Sequence, residues 1–263
     1  MKLDIYIVDA FTQNQFGGNS AAVVPLIEWL DDSTMQKIAT QNNLSETAYI
    51  KRVDNNKYEI RWFSPLCEID FCGHATLASS FIIFNKLGVK NIIEFQTLKV
   101  GSLFVSRKND GRIEMSFPNQ EPTIQSNPPQ ALLEGLSIKP KLVLKNRQAY
   151  FAVYNKEQEV QEVIYNSNEL KKLAPFDTVI TAESLEYDFV SRYFWPANGG
   201  DEDPVTGSIH TGLAPYWAKE LGKTELKAYQ ASKRGGVLYC EIKEDRVLIS
   251  GYGVMYLEGE INI

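Results

Sequence analysis

The chain has 263 residues, a formal net charge of −6, and 44% hydrophobic and 23% charged residues, so it can bury one large core or two modest ones. The acidic balance and the lack of any Lys/Arg block exclude nucleic acid or an anionic membrane as the main partner, and no apolar run approaches the roughly 18 residues of a membrane-spanning helix. Three cysteines do not make a secreted disulfide framework, and the opening MKLDIYIVDAF lacks a signal peptide's apolar core, so a cytoplasmic, reducing setting is expected.

Residues 3–8, LDIYIV, read as a strand, and FTQNQFGGNSAAVV follows with a turn at Gly17-Gly18. Residues 33–41 read as a short amphipathic helix, with Ser33 as its cap. TAYIKRV and KYEIRWF have the β-branched and aromatic content of strands and are joined by a turn at Asp54-Asn55-Asn56. Gly73 then opens an apolar segment, ATLASSFIIF, that has no charged face and must be enclosed. Three more strands follow, the last two joined by Asn109-Asp110-Gly111, a hairpin signal. PNQEPTIQSNPP, residues 118–129, holds four prolines and reads as an interdomain linker or crossing. A second strand-rich half repeats the pattern, with its apolar helix at residues 207–222 and Pro215 inside it.

The halves superpose without gaps at an offset of 134 residues, which lays Gly73 on Gly207. Eight of the 44 positions from 73 to 116 are identical, among them Gly73/Gly207, Leu87-Gly88/Leu221-Gly222, Gln96/Gln230 and Arg112/Arg246. The matches fall on a helix start, a helix stop and a strand start. They predict two pseudosymmetric domains, each a sheet around one apolar helix.

A helix that begins at glycine lets a ligand approach the unpaired N–H groups and the positive end of the helix dipole. Two such starts facing one another would make a site for a carboxylate or phosphate. Asp203 of EDPVTGS precedes the second start, and Glu46 of NLSETAYI lies between a helix and a strand; from spacing alone, each also reads as an ordinary surface acid. Zinc spacing, G-x-S-x-G, Walker A and the dinucleotide fingerprint are all missing, and neither His74 nor His210 has a local ligand partner in sequence.

DAFTQNQFGGNSAAVV, NLSETAYI, RWFSP…EIDFCGHATLASS and EDPVTGSIHTGLAPYWA together resemble the phenazine-biosynthesis PhzF-like family, in order and over nearly the whole chain. Ser20 departs from the proline usual in the family. The resemblance implies an α+β, diaminopimelate-epimerase-like fold of two pseudosymmetric domains. Each is a strongly curved, barrel-like sheet wrapped around a central apolar helix. The expected domains are residues 1–118, with 252–263 available to complete them, and 119–251, with the active site in the cleft between. The resemblance also implies that Glu46 shuttles a proton, that His74 and Asp203 assist, and that Asn19, Gly73, Gly207 and Ser208 contact the substrate.

The best-known member isomerises a dihydro-hydroxyanthranilate, which implies acid–base chemistry on a small carboxylated metabolite without metal, flavin or nucleotide cofactor. Homodimerisation is also implied. One alternative is a racemase or epimerase, but diaminopimelate epimerases use a thiol before each helix-opening glycine, and here those residues are Cys72 and Thr206. Another is a binding protein that keeps the fold without catalysis.

Overall fold

A computed structural model describes residues 1–263. The chain divides into two compact units, Met1–Ser116 with Ser250–Ile263, and Phe117–Ile249.

The first unit contains β1 (Lys2–Ala10), β2 (Asn19–Leu26), β3 (Glu46–Asp54), β4 (Lys57–Phe63), β5 (Glu68–Ile69), β6 (Ile93–Gln96), β7 (Ser102–Arg107) and β8 (Ile113–Pro118). Helix α1 (Asp32–Asn42) lies between β2 and β3, and α2 (Gly73–Asn85) between β5 and β6. The first cap differs from the sequence reading. Asp31, not Ser33, caps α1, accepting from the Thr34 backbone N–H at 2.9 Å and the Thr34 hydroxyl at 2.7 Å. The second unit contains β9 (Thr123–Ile124), β10 (Leu142–Lys145), β11 (Ala149–Val153), β12 (Asp177–Glu183), β13 (Phe189–Phe194), β14 (Glu202–Asp203), β15 (Glu225–Gln230), β16 (Gly236–Lys243) and β17 (Arg246–Gly251). Its helices are α3 (Gln130–Glu134), α4 (Glu157–Glu162), α5 (Ser167–Leu170) and α6 (His210–Leu221). The last strand, β18 (Gly253–Asn262), belongs to the first unit and pairs antiparallel with β1 along its whole length.

The two units share one topology. β2–β3 and β11–β12 are parallel, β3–β4 and β12–β13 antiparallel, and β4–β6 and β13–β15 parallel. The offset of 134 holds at the level of register: Gln96 faces Ser102 across β6–β7, and Gln230 faces Gly236 across β15–β16. The folds of both units therefore follow the repeat in the sequence.

Eleven of the thirteen residues of α2 are buried, against strands β1, β2, β3 and β18. Its hydroxyls do not oppose this burial. Thr76, Ser79 and Ser80 donate to the carbonyls of Cys72, Ala75 and Thr76 four residues back, at 2.6–2.8 Å, so each polar group is satisfied within the helix. Helix α1 covers another face of the sheet, where Met35, Ile38 and Ala39 pack with Ile5, Val24, Tyr49 and Phe63. The second unit has its own core around Leu132, Tyr150, Val160, Ile180 and Phe194.

The proline-rich segment is not a free linker. Thr123 and Ile124 pair antiparallel with Lys145 and Leu144, and Gln125 donates to the Val143 carbonyl at 2.9 Å. Its prolines flank a two-residue edge strand, where a missing N–H is tolerated. Helix α6 begins at His210, three residues later than expected. The turn before it is tighter than α, with His210 N–H to Gly207 O and Thr211 N–H to Ser208 O, both at 3.1 Å. Pro215 has a local reason. It has no N–H to offer the Thr211 carbonyl, which accepts instead from the Gln120 backbone at 3.1 Å.

Candidate active site

Four of the expected residues come together in the first unit. Glu46 is the first residue of β3, Asn19 the first of β2, and Gly73 and His74 open α2. Cys72 is the cap residue of α2, in extended backbone conformation.

His74 is held from three sides. Its Nε2 lies 2.8 Å from Glu46 Oε2, its Nδ1 lies 3.2 Å from Asn19 Nδ2, and Cys72 Sγ is 3.4 Å from Nδ1 and 3.9 Å from Nε2. The His74 side chain is 6% exposed and that of Glu46 13%. Glu46 Oε2 is buried and faces His74 Nε2 at 2.8 Å, a contact of opposite charges when the ring is protonated.

Burial alone would pull the His74 imidazole down. Cys72 and the Glu46 carboxylate oppose this, and the net direction is upward. Burial, and then Glu46, push the Cys72 thiol up to about 11. At neutral pH the thiol is therefore protonated, and of the two opposing groups the Glu46 carboxylate is the one that favours a protonated ring. The Asn19 amide must answer to the state of the ring. With Nδ2 toward Nδ1 it suits a neutral imidazole whose proton is on Nε2, facing Glu46. A protonated ring needs an acceptor there, and a half-turn of the amide supplies Oδ1.

The three side chains Glu46, Cys72 and His74 each bring one potential metal-ligand atom within 4.8 Å of the others, a grouping that sequence spacing did not reveal. Its geometry is poor for a metal. Both ring nitrogens already face other groups, Nε2 toward Glu46 at 2.8 Å and Nδ1 toward Asn19 Nδ2 at 3.2 Å, so a cation would have to displace one of them.

The remaining expected residues, Asp203, Gly207 and Ser208, lie in the second unit. The Thr206 hydroxyl donates to Asp203 Oδ2. Gln230, fully buried, ties this turn together: its Oε1 accepts from Thr206 N–H at 2.9 Å, and its Nε2 donates to the Asp203 carbonyl at 2.8 Å. Sequence reasoning used Gln230 only as a repeat identity and missed this function. Its signal was a glutamine ending a strand that is otherwise apolar on its buried face. His210 is buried and its pKa is pulled down to about 4 by desolvation, against the hydrogen bond of Nδ1 with the Thr206 carbonyl. It is a neutral structural histidine.

A family model described as phenazine biosynthesis-like protein matches residues 8–259. The chain belongs to this family. An uncharacterized isomerase of Pseudomonas aeruginosa is 44% identical to this phenazine biosynthesis-like chain over 264 residues, covering 100% of both. The crystal structure of a phenazine biosynthesis PhzF-family protein from Enterococcus faecalis matches it with a TM-score of 0.95 and 40% identity over 100% of both chains. The fold alone extends to a hydroxyproline epimerase from Agrobacterium vitis, at a TM-score of 0.57 and 8% identity over 99% of this chain and 92% of that one. The PhzF-like, epimerase-type α+β fold is thereby established for this chain.

Proposed function

We propose that this protein is an isomerase that moves a proton on a small carboxylated, cyclic or unsaturated metabolite, using its own acid–base groups. Glu46 takes a proton from carbon, the electron pair delocalises into the conjugated system, and the same carboxyl returns the proton to another carbon. Atoms and electrons balance within the substrate, so the step calls for no redox partner. His74, whose Nε2 faces Glu46, compensates charge as the carboxyl alternates between its two states. In this reading Asp203 is a second acid–base group, Gly73, Gly207 and Ser208 meet the substrate, and Asn19 sets the orientation of the His74 ring.

The single observation that carries this reading is the buried Glu46 Oε2 held 2.8 Å from His74 Nε2. A carboxyl that is nearly dry and faces an imidazole nitrogen is placed to take up and return a substrate proton. The relatives called isomerases support the reaction class. An amino-acid racemase working through two thiols fits less well, because Cys72 is protonated up to about 11 and Thr206 stands at the counterpart position.

Incubation with a dihydro-hydroxyanthranilate in deuterated water, followed by proton NMR, tests the reading. Deuterium should enter at a ring carbon, and Glu46→Gln should slow this about a hundredfold or more. Exchange at the wild-type rate in Glu46→Gln would sink the proposed shuttle. Pocket binding with no exchange would favour the non-catalytic alternative. Homodimerisation is part of the same proposal and is checked by sedimentation.

A further inference from the structure

The internal duplication also reaches the catalytic strand. In the first unit Glu46 opens β3 opposite Ala21, and the next residue, buried Thr47, faces Phe63. In the second unit Asp177 opens β12 opposite Ala149, and the next residue, buried Thr178, faces Phe194. Two residues before each phenylalanine an arginine makes a forked pair with a glutamate, Arg61 with Glu68 and Arg192 with Glu202, at 2.7–2.9 Å. Asp177 is therefore the structural counterpart of Glu46, and Ser208, by the offset of 134, is the counterpart of His74.

In the first unit the carboxylate meets the helix-start residue directly. In the second it reaches that residue through two other side chains. Asp177 Oδ2 accepts from the Tyr193 hydroxyl at 2.5 Å, and its Oδ1 accepts from Asn198 Nδ2 at 2.8 Å. The Tyr193 oxygen, its proton committed, accepts from Gln148 Nε2 at 3.0 Å. The same Nε2 donates at 2.9 Å to Ser208 Oγ. Gln148 is itself anchored: its N–H donates to Asn146 Oδ1 at 2.8 Å, and its carbonyl accepts from Asp177 N–H at 3.1 Å.

Each polarity in this chain follows from the one before. A tyrosine that donates to a carboxylate can only accept from its next neighbour, so the glutamine must present its NH₂ group. A serine oxygen that accepts from that group directs its own proton elsewhere. Burial pushes the Asp177 carboxyl up, which is the net direction, and the bonds from Tyr193 and Asn198 offset part of it.

We propose that Asp177, Tyr193 and Gln148 are positioning residues that fix the Ser208 hydroxyl as a hydrogen-bond donor to an anionic oxygen, the carboxylate, of the substrate. This rests on the function proposed above in taking Ser208 to meet the substrate. A glutamine amide does not pass protons along such a chain, so the network acts by orientation. The duplicated carboxylate position has a chemical task in one half and an orienting task in the other.

The test is calorimetric titration of the full-length protein with anthranilate, a stable cyclic carboxylate, and with its uncharged amide, anthranilamide. Ser208→Ala should weaken anthranilate about tenfold and Gln148→Met about fivefold, with less loss for the amide. In the Ser208→Ala background, Gln148→Met should cost no more than about twofold further, because its target is gone. Tyr193→Phe should repeat the Gln148→Met result, and it serves if Gln148→Met fails to fold. Losses that multiply, equal losses for acid and amide, or unchanged anthranilate binding in both Gln148→Met and Tyr193→Phe would overturn the network. A wild-type protein that binds the amide as well as the acid, or binds neither at millimolar concentration, would overturn the assignment of a carboxylate to Ser208. Loss of the Glu46 shuttle is read separately, by the exchange experiment.

Discussion

Glu46 Oε2 and His74 Nε2 lie 2.8 Å apart between the first residue of one strand and the second residue of an enclosed helix. Neither partner can be removed cheaply, since the other would be left as an unpaired buried charge. His74→Gln should destabilise the protein by about 3 kcal/mol at pH 6. The raised pKa of His74 fixes the pH dependence. A base held above its unfolded value of 6.5 adds stability that is complete below that value and is lost as pH rises through the folded value. The gap between wild type and His74→Gln in urea unfolding should therefore narrow as pH rises above about 6.5. A gap independent of pH would show that the pair is not ionic.

His210 should behave in the opposite way. Its pKa is lowered to about 4 from 6.5 by burial. Above pH 6.5 both folded and unfolded states hold it neutral, and it costs nothing. As pH falls from 6.5 toward 4, the unfolded chain takes up a proton that the folded one refuses, and stability is lost. The loss from this residue approaches about 3 kcal/mol. Comparing acid unfolding of wild type and His210→Asn checks this. The variant should show a shallower decline over that interval, even if it is less stable at pH 7. Equal slopes would refute the neutral buried histidine.

The thiols should separate by burial. Cys67 is exposed, while Cys72 and Cys240 are buried, with pKa values pushed up to about 11 and about 12. Iodoacetamide at pH 7.5 should alkylate one thiol per native chain, at Cys67, and three after unfolding. Peptide mass spectrometry identifies the position. Rapid native labelling of Cys72 would mean a reactive thiolate and would revive the racemase reading.

The repeat was legible because it preserves local features: a glycine opening a helix, Leu-Gly closing it, and a strand that ends in glutamine. The first unit's dependence on β18 was harder to read, since Leu3 pairs with Ile261 from the other end of the chain and no local pattern encodes that pairing. His74 stood out as one of two histidines, beside a helix-opening glycine, but its catalytic role was given only by the family resemblance. Glu46 did not stand out, because an acid at a strand start also reads as solvent-facing, and the family resemblance singled it out. Asp177 escaped because the repeat is not gap-free there. Gly73 and Gly207 are 134 apart, but Glu46 and Asp177 are 131 apart, so the ungapped register fails before it reaches them. Only strand pairing restores the correspondence. The cap of α1 was misplaced by two residues because Asp31 and Ser33 are both good capping types, and only the side-chain geometry chooses.

Pro215 offers a last test of how closely the second unit's helix is tied to the segment that enters it. Proline inside a helix ordinarily costs about 3 kcal/mol relative to alanine, since it strands a carbonyl one turn back. Here the Thr211 carbonyl is already engaged by Gln120 N–H at 3.1 Å. Pro215→Ala would add an N–H that competes for the same oxygen, and it would release the more flexible alanine chain on unfolding. The gain in stability should therefore fall well short of the usual figure, at about 1 kcal/mol or less, with faster hydrogen exchange at the Gln120 amide. A stabilisation near 3 kcal/mol would show that the Gln120 contact does not compensate for the missing bond, and that the proline is tolerated for some other reason.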